Sequence, residues 1–234
     1  MRPSRLALAR FLIGVQVAMA LAIAGIYLMA QGLDLEGEFD PFAFFFLPIL
    51  AVYGTVGYLV VRREPSNIIG ILLCLSGPIW TSTEVLDIYA SLRHDGRPLF
   101  GAVWAAWVGN WTWVPATALI AIFVLLLFPD GQLPSHRWRP VLWLAILGTS
   151  MASFTISIED ARVVGFPSPL RVTGPAVDLV STVGMGIFLA SFLAAASSLF
   201  FRMRNSNAER RQQVKWLLYP AALVGPLLSL AALS

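Results

Sequence analysis

The chain has 234 residues, 58% of them hydrophobic and 12% charged, with a mean hydropathy of +0.76. That is more apolar surface than a water-soluble core of this size can bury, so a soluble enzyme or binding module is excluded and a membrane-embedded protein is required. The formal net charge of +3 comes without a basic patch interleaved with water-exposed aromatics, so nucleic acid is not an expected partner.

Seven apolar runs are long enough to cross a hydrocarbon core, which takes about 20 residues at a rise of about 1.5 Å each. They fall at about 11–30, 42–61, 68–90, 102–128, 139–157, 177–201 and 214–233. The expected fold is all-α, a single polytopic transmembrane helix bundle of about seven spans. The first run follows Arg2, Arg5 and Arg10 and exceeds the length of a signal-peptide core, so it is expected to stay as an uncleaved span. Basic residues orient the bundle. Arg2, Arg5, Arg10, Arg62, Arg63, Arg137, Arg139, Arg202, Arg204, Arg210, Arg211 and Lys215 fall on one side. Only Arg93, Arg97, Arg162 and Arg171 fall on the other, where Asp34, Glu36, Glu38 and Asp40 also lie. The positive-inside rule then places the N-terminus in the cytoplasm and the chain in the inner (plasma) membrane, crossing it many times. Ser234 follows the seventh run with no polar tail, so the chain reads as cut short.

Prolines at 48, 78, 115, 220 and 226 interrupt spans and leave backbone carbonyls for other helices, hydroxyls or water to satisfy. Gly184, Gly186 and the stretch Ala194 to Ser198 are expected packing faces of the sixth span. Gln16 reads as a hydrogen bond from helix to helix.

Two helical faces carry the candidate ligand site. Trp80, Glu84, Asp87 and Ser91 follow one another at steps of four, three and four in the third span. Phe100, Trp104, Trp107 and Trp111 do so in the fourth, with Asn110 and Trp113 beside them. An acidic mouth with aromatic walls would suit a cationic or amphipathic ligand. The same tryptophans would equally make an interfacial belt, with Glu84 and Asp87 marking where the third helix leaves the membrane. No catalytic residue, metal or cofactor is expected. His94 and His136 fall on opposite sides, the only cysteine, Cys74, sits within an apolar run, and neither a Gly-x-Ser-x-Gly elbow nor a phosphate-binding Gly-rich loop is present.

Three segments on the cytoplasmic side carry most of the polar motifs: Arg62 to Gly70 (RREPSNIIG), Phe128 to Pro140 (FPDGQLPSHRWRP) and Glu209 to Leu217 (ERRQQVKWL). In the middle one, Pro129, Asp130-Gly131, Pro134 and Pro140 force a reversal, while Arg137, Trp138 and Arg139 anchor it at the interface. Together with the Trp-rich Ala105 to Pro115, these segments resemble the N-terminal multi-span sensor region of actinobacterial-type sensor histidine kinases, over about 60–234. Ile69 stands where that family usually has proline. The resemblance implies a sensory input domain without the phosphoacceptor helix and ATP-binding domain, neither of which is in this sequence. It further implies that Asp130, Gly131, Arg137, Trp138, Arg139, Glu209, Arg210, Arg211, Gln212, Lys215 and Trp216 couple the bundle to an output. The expected partners are the lipid bilayer, a kinase or other cytoplasmic output domain, and a second copy in a homodimer. A transporter-like protein for small solutes, or a structural partner subunit of a membrane complex, are the alternative readings.

Overall fold

The computed structural model describes residues 3–33, 41–160 and 165–204. Six helices fill most of that length: α1 (Pro3–Gly32), α2 (Pro41–Arg63), α3 (Ile68–Ser91), α4 (Ala102–Leu127), α5 (Arg139–Ile158) and α6 (Pro175–Arg204). They coincide with the first six runs of the sequence. Five of them, all but α2, are long and apolar enough over described residues to span a membrane. The run 214–233 and the coupling residues Glu209, Arg210, Arg211, Gln212, Lys215 and Trp216 lie outside the described residues, as do Asp34, Glu36, Glu38, Asp40 and Arg162.

Local chemistry explains the boundaries. Arg62 and Arg63 close α2, where cations favour the carbonyl end of the helix. Asn67 caps α3, its side chain accepting a hydrogen bond from the Ile69 amide at 3.1 Å. Pro140 sits in the first turn of α5, where its missing N–H costs nothing. Pro48, Pro78 and Pro115 all lie inside continuous helices. Four residues beyond Pro115, α4 passes through a π-helical turn over Leu119–Val124, which its composition does not announce.

One departure from an all-α fold occurs between α3 and α4. Arg93–His94 (β1) and Arg97–Pro98 (β2) pair as a two-stranded antiparallel ribbon, joined by Asp95 and Gly96 at φ 51° and 70°. Positive φ at both turn residues matches strand twist, and Asp-Gly is the dipeptide that supplies it.

α3 and α4 are the centre of the bundle. Half of the apolar stretch of α3 and 44% of that of α4 is buried, against 17% in α1 and 22% in α6. α1 and α2 pack on α3 through Ala9, Leu12, Val61 and Cys74. α5 and α6 pack on α4 through Ala145, Ala152, Phe188, Ala195 and Leu199 against Val114, Ile122 and Leu126. Small residues set both seams, as expected where packing and not water exclusion drives helix association. Gly184 meets Met151, and Gly148 meets the Phe188 backbone. Ala195 and Ser198 are buried, as expected of a packing face. Gly186, expected on that face, has open space around it instead. It lies two residues, or about 200° of helix, from Gly184.

Candidate functional site

The candidate ligand-site residues of α3 and α4 do not converge on one wall. α4 turns Gly109 to α3, so close to the Asp87 carboxylate that a Cβ there would overlap it. The hydroxyls of Thr83 and Thr112 join the same seam at 2.8 Å. Trp107 and Asn110 turn to α5: the indole Nε1 donates to the Ser157 carbonyl at 2.6 Å, and Asn110 Nδ2 donates to that of Ile156 at 2.9 Å. These carbonyls belong to the last turn of α5, where that of Ile156 also accepts from the Glu159 amide and that of Ser157 from the Ser168 hydroxyl, so the two side chains add to the closure of that helix.

Trp104, Trp107 and Trp111 do form the continuous ladder that their spacing predicts, with edge contacts at centroid distances of 5.9 and 6.3 Å. Trp104 and Trp111, however, lie about 140–160° around α4 from Gly109. Asp87 and this pair therefore sit on different sides of the helix. Trp104 is 58% exposed and Phe100 is 99% exposed, whereas the Trp111 Nε1 is buried without a hydrogen-bond partner. Trp80 and Glu84 are half-buried on α3. In single-tryptophan variants we expect brominated lipid to quench Trp104 strongly and Trp107 weakly. Equal quenching at both would mean that the Trp107–Ser157 bond does not hold in the bilayer.

Beyond α5, Asp160 binds Arg171 at 3.2 Å and accepts from the Ser168 amide at 3.1 Å, while Arg93 lies over the Phe166 ring at 5.0 Å. A cleft of about 210 Å³ there is lined by Glu159, Asp160, Arg171 and Asp178. Sequence spacing carried no signal for it.

The opposite end, which holds Arg5, Arg62, Arg63, Arg137, Arg139 and Arg202, is more highly built. Asn67 Nδ2 donates to the Pro129 carbonyl at 2.8 Å and to Glu64 Oε2 at 3.2 Å. Gly131, at φ 73°, lies so near Asn67 that a Cβ there would come within 2.7 Å of the Asn67 Oδ1. The segments RREPSNIIG and FPDGQLPSHRWRP thus meet side by side. α1 joins through Arg5, whose Nη1 donates to Pro65 O at 2.8 Å. α6 joins through Arg202, whose Nη2 donates to Leu126 O at 3.2 Å and to the Gln132 carbonyl. Trp138 packs against Phe201 at 6.5 Å. Of the expected coupling residues, Gly131 and Trp138 therefore sit inside this junction. Arg137 and Arg139 flank it as exposed cations, and Asp130 neighbours it with a partner of its own. Asn67, Pro129, Gln132 and Arg202 are members that were not among the expected coupling residues. An Asn between Pro65-Ser66 and an apolar run is a readable N-cap signal, but nothing in it foretells the second bond to Pro129.

The chain matches no protein-family model, no curated protein and no solved structure.

Chemically, the junction is a carbonyl-capping device. Five loop or helix-end carbonyls, those of Pro65, Ser66, Pro129, Leu126 and Gln132, are held by side chains from other helices. Among the described residues no group of three or more His, Cys, Asp or Glu could hold a metal. Cys74 is buried, with its thiol 3.6 Å from the Gly54 carbonyl.

Proposed function

We propose that the chain is the membrane-embedded input domain of a two-component, histidine-kinase-like signalling system in the plasma membrane, with its N-terminus and basic end in the cytoplasm. The observation that carries this reading is the junction at the basic end. Arg202 and Phe201, at the end of α6 that leads on toward 205–217, are tied to the 128–138 loop, and that loop is tied through Asn67 to α3. A shift in α3 or α4 would therefore reach the segment bearing Glu209, Arg210, Arg211, Gln212, Lys215 and Trp216. A change of this kind needs a bistable element, and side chains holding single carbonyls can exchange partners without unfolding a helix. The seventh span at 214–233 and the homodimer belong to the same proposal.

The test is in the cell of origin. A photo-crosslinking amino acid at Gln212 is expected to capture a protein or domain carrying a phosphoacceptor histidine, and deleting the gene is expected to change the phosphorylation of a response regulator. Loss of uptake of a small solute, with every response regulator unchanged, would move the chain to the transporters. Capture of a membrane subunit without kinase chemistry would make it a structural partner.

A further inference from the structure

Between them, α1 and α2 leave a groove among the described residues. Its inner part encloses about 120 Å³ and is lined by Ile13, Gln16 and Val17 of α1, by Ala51 and Gly54 of α2, and by Thr81 of α3 behind them. A second part, about 330 Å³, is lined by Arg10, Ile13, Thr55 and Tyr58. Ile13 and Thr55 line both, so the two parts are successive stretches of one channel running toward the basic end.

Three polar groups in this channel have no hydrogen-bond partner among the described residues. Gln16 is 7% exposed, and its amide fills the space that a Cβ at Gly54 or Gly77 would occupy, at 2.6 and 2.5 Å. Two helices thus give up a side chain to make room for it. Neither Gln16, the Tyr58 hydroxyl nor the Arg10 guanidinium makes a hydrogen bond or ion pair with any described residue, whereas Thr55 and Thr81 satisfy themselves on the Ala51 and Gly77 carbonyls. An amide buried in hydrocarbon without partners is costly. Six residues put Gln16 about 9 Å deeper than Arg10 along the helix axis, and both side chains are long and flexible.

We infer that the α1–α2 groove is a binding site for an anionic glycerophospholipid, with the phosphate held by Arg10 and Tyr58 and an ester carbonyl taken by the Gln16 amide. The chemistry selects this class. A cation and a phenol at the mouth call for an anion. A donor one to two turns deeper calls for an acceptor on the same molecule, which a free fatty acid lacks. The apolar lining of Ile13, Val17 and Ala51 between and beyond takes an acyl chain. This site is independent of the signalling proposal, since it requires only that α1 and α2 lie in a bilayer.

Native mass spectrometry of the full chain in detergent, titrated with phosphatidylglycerol, its ether-linked analogue and phosphatidylcholine, tests it. Phosphatidylglycerol is expected to bind at least about fivefold tighter than phosphatidylcholine, the factor that one interfacial cation contributes. The double variant Arg10→Gln/Tyr58→Phe should remove that preference, and Gln16→Leu should remove the preference for ester over ether. Arg10 is exposed and bonds no described residue, and Tyr58→Phe keeps the ring that packs against Ala9, Leu12, Val61 and Cys74, so the double variant keeps its helices, which circular dichroism checks. Equal binding of the two headgroups by the wild-type chain, or an unchanged preference in the double variant, would overturn the site. An ester preference that survives Gln16→Leu would overturn the role of the amide.

Discussion

Gly70→Leu is expected to destabilise the bundle by about 3 kcal/mol or more, the upper range for forcing extra atoms into a packed seam. A Cβ at Gly70 would lie 2.8 Å from the Gly57 carbonyl oxygen, 2.9 Å from the Val61 amide nitrogen and 2.7 Å from the Val61 Cγ2. The reverse contact is as tight: a Cβ at Gly57 would lie 2.7 Å from the Gly70 oxygen, 2.8 Å from the Cys74 sulfur and 2.9 Å from the Cys74 nitrogen. Two of the three neighbours in each case are backbone atoms, which cannot rotate aside, so α2 and α3 must move apart. Separation then costs the whole seam, because lipid offers no hydrophobic penalty that would push the helices back together. Gly25 is the matched control, with nothing within 4 Å of its Cβ position. Gly25→Ala should be neutral or stabilising by up to about 1 kcal/mol through helix propensity. Steric-trap unfolding in bicelles measures both, and a Gly70→Leu protein as stable as Gly25→Ala would refute the close approach of α2 and α3.

Asn67→Ala comes next in expected size, at about 2–3 kcal/mol. Roughly 1 kcal/mol is the lost helix cap, and a further 1–2 kcal/mol comes from leaving the carbonyl of half-buried Pro129 without its donor. Asn67→Asp separates the two contributions. Aspartate caps a helix as well as asparagine, so if capping were the whole role the variant would match wild type. It has no donor, however, and it sets a carboxylate against Pro129 O and Glu64, so we expect it to be at least as damaging as alanine. Protease nicking between Asp130 and Ser135 should rise in both variants as the loop comes free of α3. An intact loop in Asn67→Asp would show that the Asn67–Pro129 bond does not hold the two segments together.

Much of this architecture was legible in the amino-acid order. Six apolar runs became helices because about 20 such residues in a row have no other way to satisfy their backbone in lipid. The reversal at 128–140 followed from proline and Asp-Gly chemistry. The hairpin at His94-Asp95-Gly96-Arg97 has a readable signal as well, the Asp-Gly dipeptide of a tight turn. The tryptophan cluster shows a firmer limit. Helical spacing says that Trp104, Trp107 and Trp111 share a stripe, and they do, but it does not say which neighbour the stripe faces. That choice was made by Gly109, whose missing side chain let Asp87 approach, and by the helix-end carbonyls of Ile156 and Ser157. Both are backbone properties, invisible to residue-type patterns. The Arg202 contacts were hidden for the same reason, since a carbonyl acceptor can belong to any residue.

The π-helical turn at Leu119–Val124 sets a phase between the two ends of α4. Upstream of it the helix shows Gly109 to α3 and Asn110 to α5; downstream it shows Leu126, fully buried, with its carbonyl held by Arg202 of α6. A π turn accommodates one residue more than an α turn of the same rise. A relative lacking one residue between Pro115 and Phe128 would therefore have its two halves about 100° out of step with this chain. It would offer α6 a different stripe while leaving the tryptophan ladder untouched. Insertions and deletions in this short interval, more than substitutions, are where evolution could re-gear the tryptophan end of the protein against its arginine end.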